Sequence, residues 1–451
     1  MKLVILGGGG FRVPLVHQSL LADPDRLVDE IVLQDVLVPR LTAIGAVLDQ
    51  QAQTQQEQGA AWRPKIRMTT SLDDALSGAD MVFSAIRVGG LGGRSLDERI
   101  PLRHGLMGQE TVGPGGICYA LRTVPVAMDI ARQVEHRAPD AWVINFTNPA
   151  GIVTEAMSSV LGDRVIGICD SPVGLCRRVA AALGVSESDA TFDYVGLNHL
   201  GWLRKVMVNG RDVLPGLFDD ETVLTSFEEG KLFGAQWLRT LRSVPNEYLH
   251  YYYFARETLE QMRAQETTRG EFLKDQQKSF YERIGENPQA ALQAWLETRS
   301  ERESTYLAEG RAVAGMTERA ACDMDGGGYE QVALRLMNSI TRNRPDQLIL
   351  NVRNRGVVAG LGNSVVEVPC FVDGNGPRPI ATGPVDPHSL GLMLQVKGCE
   401  QAAIQAARTQ NRTDALFAMA THPLVDSVAA AAATLDGYVT AFPELSAFRA
   451  P

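Results

Sequence analysis

The sequence predicts an α/β protein. An N-terminal Rossmann-like parallel sheet of the lactate/malate dehydrogenase kind is followed by a mixed α+β domain. Three observations predict it. A β-rich opening runs into four consecutive glycines, Gly7, Gly8, Gly9 and Gly10. Short apolar runs then recur between longer amphipathic segments up to about residue 195, the pattern of a parallel sheet covered on both faces. Beyond that point the texture changes to a strand pair, a long helical stretch and further strands. The predicted division is 1–196 for a dinucleotide-binding domain and 197–451 for substrate binding and oligomerisation.

The elements follow in order. KLVIL (2–6) is the first strand, and the glycines turn the chain into a helix from Val13 to about Leu21. Strand, glycine turn and helix N-terminus together hold a pyrophosphate, because glycines let the backbone approach and the helix end presents free N–H groups. The spacing Gly7-x-Gly9 leaves Phe11 and then Arg12 where the usual fingerprint ends in a third Gly or Ala. EIVLQDV is a second strand ending near Asp35, whose carboxylate suits the adenosine ribose and favours NAD over NADP. MVFSAI (81–86), AWVINFT (141–147) and VIGICD (165–170) continue the sheet. In YVGLNHLGWLRKVMVNGRDV, Asn209-Gly210 marks a hairpin turn. A helical region covers about 217 to 315, LILNVRNRGVVAGLGNSVVEVPCFV reads as more strands, and helices close the chain, including the Ala-rich VAAAAATL (428–435).

Composition excludes several classes. The 451 residues carry 45% hydrophobic and 21% charged residues, the balance of a soluble globular protein. A formal net charge of −10 argues against a nucleic-acid groove, which needs clustered Lys and Arg. No apolar run is long enough to cross a bilayer, and MKLVILGGGG reads as a first strand rather than a leader. Six cysteines lie scattered at 118, 169, 176, 322, 370 and 399 without a Cys-x-x-Cys pair, which fits a reducing cytoplasm.

Candidate site residues cluster at strand ends. FTNPAGIVTEA offers Asn148, GICDSP offers Cys169 and Asp170, and GLNHLGW offers Asn198 and His199. Ligands of open parallel sheets sit beyond the carboxyl ends of strands, so these three segments face one crevice. Cys169 and His199 make a ligand pair for a divalent transition metal, with substrate oxygens completing the shell. The stretch VFSAIRVGGLGGRSLDERIPLRHG sets Arg87, Arg94, Arg99 and Arg103 among glycines, followed by Gln109-Glu110-Thr111. Guanidinium groups in an otherwise acidic chain point to an anionic small molecule such as a phosphate.

In this order, GGGGFRVP, RVGGLGGRSLDERIPLRHGLMGQETVGPGG, FTNPAGIVTEA, GICDSP, GLNHLGW and NEYLHYY make the chain resemble the family 4 glycoside hydrolases, which depend on NAD and a metal. The resemblance implies a route without facing carboxylates. NAD would take a hydride from C3 of a sugar, acidifying C2; a base would remove the C2 proton; the glycosidic oxygen would leave by elimination. It implies Cys169 and His199 as ligands to the metal, most fittingly Mn²⁺, and Tyr248 as base, with Tyr251, Tyr252 and Tyr253 as neighbouring alternatives. It also implies Glu110 as a carboxylate that strengthens the base, and Arg94, Asn148 and Arg269 as substrate contacts. NPAGIVTEA and TRGEFL are similar to the 6-phospho-β-glucosidase branch, whereas Asp170 is the residue that α-acting members use as general acid. The implied partner is a phosphorylated disaccharide or glycoside, and the implied assembly is a homodimer or homotetramer. A 2-hydroxy-acid dehydrogenase is the contrasting reading, but the residue three after Asp170 is Val173 rather than Arg. A non-catalytic NAD-binding regulator is the third.

Overall fold

The computed structural model describes residues 1–59, 62–306, 308–315 and 328–449, with backbone only for 308–310. Thirteen strands form one sheet. They are β1 (Lys2–Leu6), β2 (Glu30–Gln34), β3 (Lys65–Thr69), β4 (Met81–Ser84), β5 (Trp142–Asn145), β6 (Val165–Gly167) and β7 (Ala190–Leu197). Then come β8 (Leu200–Val208), β9 (Arg211–Asp212), β10 (Val244–Pro245), β11 (Asp346–Arg353), β12 (Val365–Asp373) and β13 (Gly376–Pro379). The order is β10-β8-β7-β12-β11-β6-β5-β4-β1-β2-β3, with β13 on β12 and β9 on β8. The six strands from β6 to β3 pair in parallel, in the 3-2-1-4-5-6 order of Rossmann-like sheets. All later pairings are antiparallel, and β11 joins the two parts through β6.

Continuous apolar runs suit strands buried on both faces. Along β1, Leu3 and Ile5 enter one core cluster while Val4 and Leu6 enter another, so alternation serves the layers above and below the sheet. The Asn209-Gly210 turn forms as expected: both residues have positive φ, 50° and 77°, and Val208 pairs with Arg211 across it. The boundary at 196/197 falls inside β7, and the strands of the two halves share the sheet. Among the described residues no helix is long and apolar enough to cross a membrane. Five of the cysteines are buried and free of disulfides; Cys322 lies outside the described residues.

His17 shows how the fold depends on pH. It is fully buried between the helices Val13–Leu21 and Val38–Glu57, with Nδ1–H donating to Gln51 Oε1 at 2.8 Å. Burial pushes its pKa down to about 4. The unfolded chain therefore takes up a proton below pH 6.5 that the folded chain refuses, and the stability present above pH 6.5 is lost as pH falls towards 4. This histidine alone is expected to lower the unfolding free energy by at most about 2 kcal/mol between pH 7 and pH 5. Denaturant titration at the two pH values, with His17→Gln showing a shallower dependence, checks it.

Candidate active site

The site is built from the glycine turn outward. Gly7, with φ 77°, ends β1; a Cβ there would stand 2.6 Å from Ala85 O. Gly8 lies so close to β2 that a Cβ would meet Leu33 at 2.7 Å. The turn's carbonyls are claimed from the far half of the chain. Tyr281 Oη donates to Gly9 O at 2.7 Å, Trp295 Nε1 to Phe11 O at 2.9 Å, and Tyr329 Oη to Arg12 O at 2.8 Å. Asp35 accepts from Gly9 N and Leu37 N, each at 3.1 Å. Gly7, Gly10, Phe11 and Arg12 line a large cleft, while Gly8, Gly9 and Asp35 back the turn on the β2 side. A cradle closed to any Cβ, with a carboxylate at the end of β2, fits a dinucleotide. Arg12 does more than occupy the fingerprint's last position. Its guanidinium lies near the rings of Phe146 and Tyr329 and 3.6 Å from Asp170 Oδ2.

The strand-end residues meet in the same cleft. Asn148 follows β5 ahead of a cis bond to Pro149, Cys169 and Asp170 follow β6, and Asn198-His199 forms the two-residue turn between β7 and β8. His199 holds a φ of 62°, uncommon for a side chain of this size. All line the cleft with Tyr248, whose ring stacks on the imidazole with centroids 3.6 Å apart and planes within 5°. Tyr248 Oη lies 3.2 Å from Tyr306 Oη. Tyr251 also lines the cleft, whereas Tyr253 Oη is bound to Trp202 Nε1 and His388, and the Tyr252 ring sits near His422.

The electrostatics here suit a bound cation. Burial, together with Glu367 and Asp170, pushes the Cys169 thiol well up. Burial holds the His199 imidazole down at about 4. The Tyr248 phenol is pushed well up by burial and by Cys169 and Glu247. A divalent cation reverses this logic for the thiol and the phenol and takes the imidazole in its neutral form. Among the described residues no group of three His, Cys, Asp or Glu converges as a closed metal cage. Cys169 and His199 could instead hold a cation as two ligands with positions left open, the pattern of catalytic metal sites. Asn148 adds a buried Oδ1 with no hydrogen-bond partner among the described residues.

The other end of the cleft is cationic. Arg94 Nε donates to Glu98 Oε1 at 2.8 Å, and Glu98 Oε2 accepts from Gly270 N at 2.6 Å. That carboxylate ties Arg94 to the first turn of the helix Arg269–Glu286, which Thr268 and Glu271 cap reciprocally. Arg269 leads this helix and donates to Thr305 Oγ1 and Arg302 O. Glu110, expected beside the base, lines the cleft with Tyr248 and pairs with Arg87 and Arg94. Burial opposes its ionisation, but the two arginines outweigh burial and hold it at about 2. Arg99 pairs with Glu271 and Arg103 is exposed, so neither lines the cleft.

Arg302 and Tyr306 line the cleft and escaped the sequence reading. Among the described residues no carboxylate lies within ion-pair distance of the Arg302 guanidinium. Burial, then Arg12, Arg269 and Arg94, push its pKa down to about 9. A signal existed: on the helix Ala291–Ser304 the buried positions Ala291, Ala294, Trp295 and Thr298 form a stripe, and Arg302 is its next member.

Known proteins resemble this chain along most of its length. The family models described as Family 4 glycosyl hydrolase and Family 4 glycosyl hydrolase C-terminal domain match residues 2–185 and 194–425. The chain is similar to a probable 6-phospho-β-glucosidase of Bacillus subtilis, at 33% identity over 97% of this chain and 95% of that one. It is similar to 6-phospho-α-glucosidase 1 of Lacticaseibacillus paracasei, at 30% identity over 84% of each. A solved 6-phospho-β-glucosidase of Thermotoga maritima, determined with manganese, NAD+ and glucose-6-phosphate, superposes with a TM-score of 0.81, at 26% identity over 98% of both chains.

Proposed function

This chain belongs to family 4 of the glycosyl hydrolases, and on that premise we propose that it hydrolyses 6-phosphoglucosides, foremost the β-linked ones, with NAD and a divalent metal, Mn²⁺ the best fit. One observation carries the reading: Cys169, His199 and Tyr248 meet between a dinucleotide turn and an arginine-lined pocket.

When bound, NAD supplies reversible oxidation at C3 of the sugar, and the cation held by Cys169 and His199 polarises the neighbouring oxygens. The chain's own groups do the rest. Arg94, Arg269 and Arg302 grip the 6-phosphate through charge-assisted hydrogen bonds. Asn148 offers its free Oδ1 to a sugar hydroxyl. Tyr248 removes the C2 proton, with the Tyr306 hydroxyl placed to donate to the tyrosinate. Glu110 holds Arg87 and Arg94 in register. Asp170, facing the leaving oxygen, governs its protonation while Arg12 holds the carboxylate from behind. Elimination from a carbanion-like centre develops no oxocarbenium charge, so no facing carboxylate pair is needed. The β preference rests on NPAGIVTEA and TRGEFL, because relatives named for either anomer match the chain at similar identity.

Nitrophenyl 6-phospho-α- and β-glucosides, assayed with NAD, Mn²⁺ and reductant, test the reading. The β substrate is expected to turn over faster, without accumulation of NADH, and with solvent deuterium entering C2. Failure to cleave either phosphorylated glucoside rejects the assignment. Net NADH production from a 2-hydroxy acid would move the chain to the dehydrogenases.

A further inference from the structure

We propose that Thr111 sets the tautomer of His199 and so acts as a positioning residue for the metal; the proposal rests on Cys169 and His199 being the ligands. His199 Nδ1 lies 3.0 Å from Thr111 Oγ1. Which atom donates is decided one contact further on. Thr111 Oγ1 is also 3.0 Å from Gln109 Oε1. That atom accepts from the backbone N–H groups of Thr111, at 2.5 Å, and Val112, at 2.9 Å. It is therefore the carbonyl end of the amide and has no proton to give.

A threonine hydroxyl has one proton. Directed at Gln109, it completes both contacts, because the hydroxyl lone pairs then accept from Nδ1–H. Directed at His199, it leaves two oxygens facing each other at 3.0 Å with no hydrogen between them. The relay His199 Nδ1–H to Thr111 to Gln109 thus leaves the proton on Nδ1 and the lone pair on Nε2. A metal-binding histidine is held in this way by the partner of its other ring nitrogen. All three residues are buried.

Three measurements test it. Mn²⁺ affinity is read by electron paramagnetic resonance on the reduced, NAD-bound protein. Thr111→Val keeps the shape and removes the relay; it is expected to weaken Mn²⁺ binding about 10–100-fold while NAD affinity stays unchanged. Thr111→Ser keeps the hydroxyl and is expected to retain the wild-type Mn²⁺ affinity. In the wild-type protein without metal, the imidazole ¹⁵N signals that disappear in His199→Asn are expected to report protonated Nδ1 and unprotonated Nε2, independently of any Thr111 variant. Unchanged Mn²⁺ affinity in Thr111→Val, a serine variant no better than valine, or a wild-type His199 protonated on Nε2 overturns the proposal. Cys169→Ala separates it from the reading beneath: full Mn²⁺ affinity there places the metal elsewhere. Weak binding by Cys169→Ala with wild-type binding by Thr111→Val rejects the tautomer role alone.

Discussion

Tyr248→Phe is expected to lower kcat by about 10²–10⁴-fold, the range for losing a positioned general base, while NAD and Mn²⁺ still bind. The substitution removes one oxygen and keeps the ring stacked on His199, so the imidazole stays oriented. Proton transfer at C2 would stop with it, and solvent deuterium would no longer enter that carbon. Steady-state kinetics and proton NMR of the product read the two effects separately. Tyr251 also lines the cleft and supplies the contrast. A fully active Tyr248→Phe beside an inactive Tyr251→Phe would transfer the role.

Arg302→Met is the second large effect, and it falls on recognition. The phosphate it is placed to bind would leave an unpaired charge behind. Truncating one partner of a buried, hydrogen-bonded charge pair costs about 2–5 kcal/mol, or about 30-fold to several thousand-fold in kcat/KM. The loss should sit mainly in KM, because the proposed role is to hold the phosphate and not the reacting carbons. Loss on a 6-phosphoglucoside, with no loss on the corresponding unphosphorylated glucoside, identifies the guanidinium as the phosphate reader. Equal loss on both assigns Arg302 to cofactor binding or to folding.

Where the sequence was legible, chemistry and chain position coincided. Asn148, Cys169 and Asp170 each end an apolar run, and parallel sheets put such positions at ligands. His199 was legible for a related reason, since it sits in the tight turn between two strands. Arg302 was hidden because a charge within a long helical stretch reads as solvated surface unless the buried stripe is traced through it. The single sheet was hidden too. β11 and β12 insert between β6 and β7 although they follow them by more than a hundred residues, and no local pattern announces so distant a pairing. Glu110 was assigned to the base by its tetrapeptide, yet alternate residues of that segment face different tasks. Thr111 faces His199 and leans on Gln109, and Glu110 pairs with the arginines. One short segment therefore touches both His199 and the arginines of the cleft.

Tyr281, Trp295 and Tyr329 clasp the carbonyls of the glycine turn from the opposite half of the chain. A gene cut between the helix Ser171–Ala182 and β7 would thus yield two inert fragments, the first lacking the clasp and the second lacking the turn. Dinucleotide capture would return only on their reassociation, which makes this protein a natural scaffold for complementation reporters.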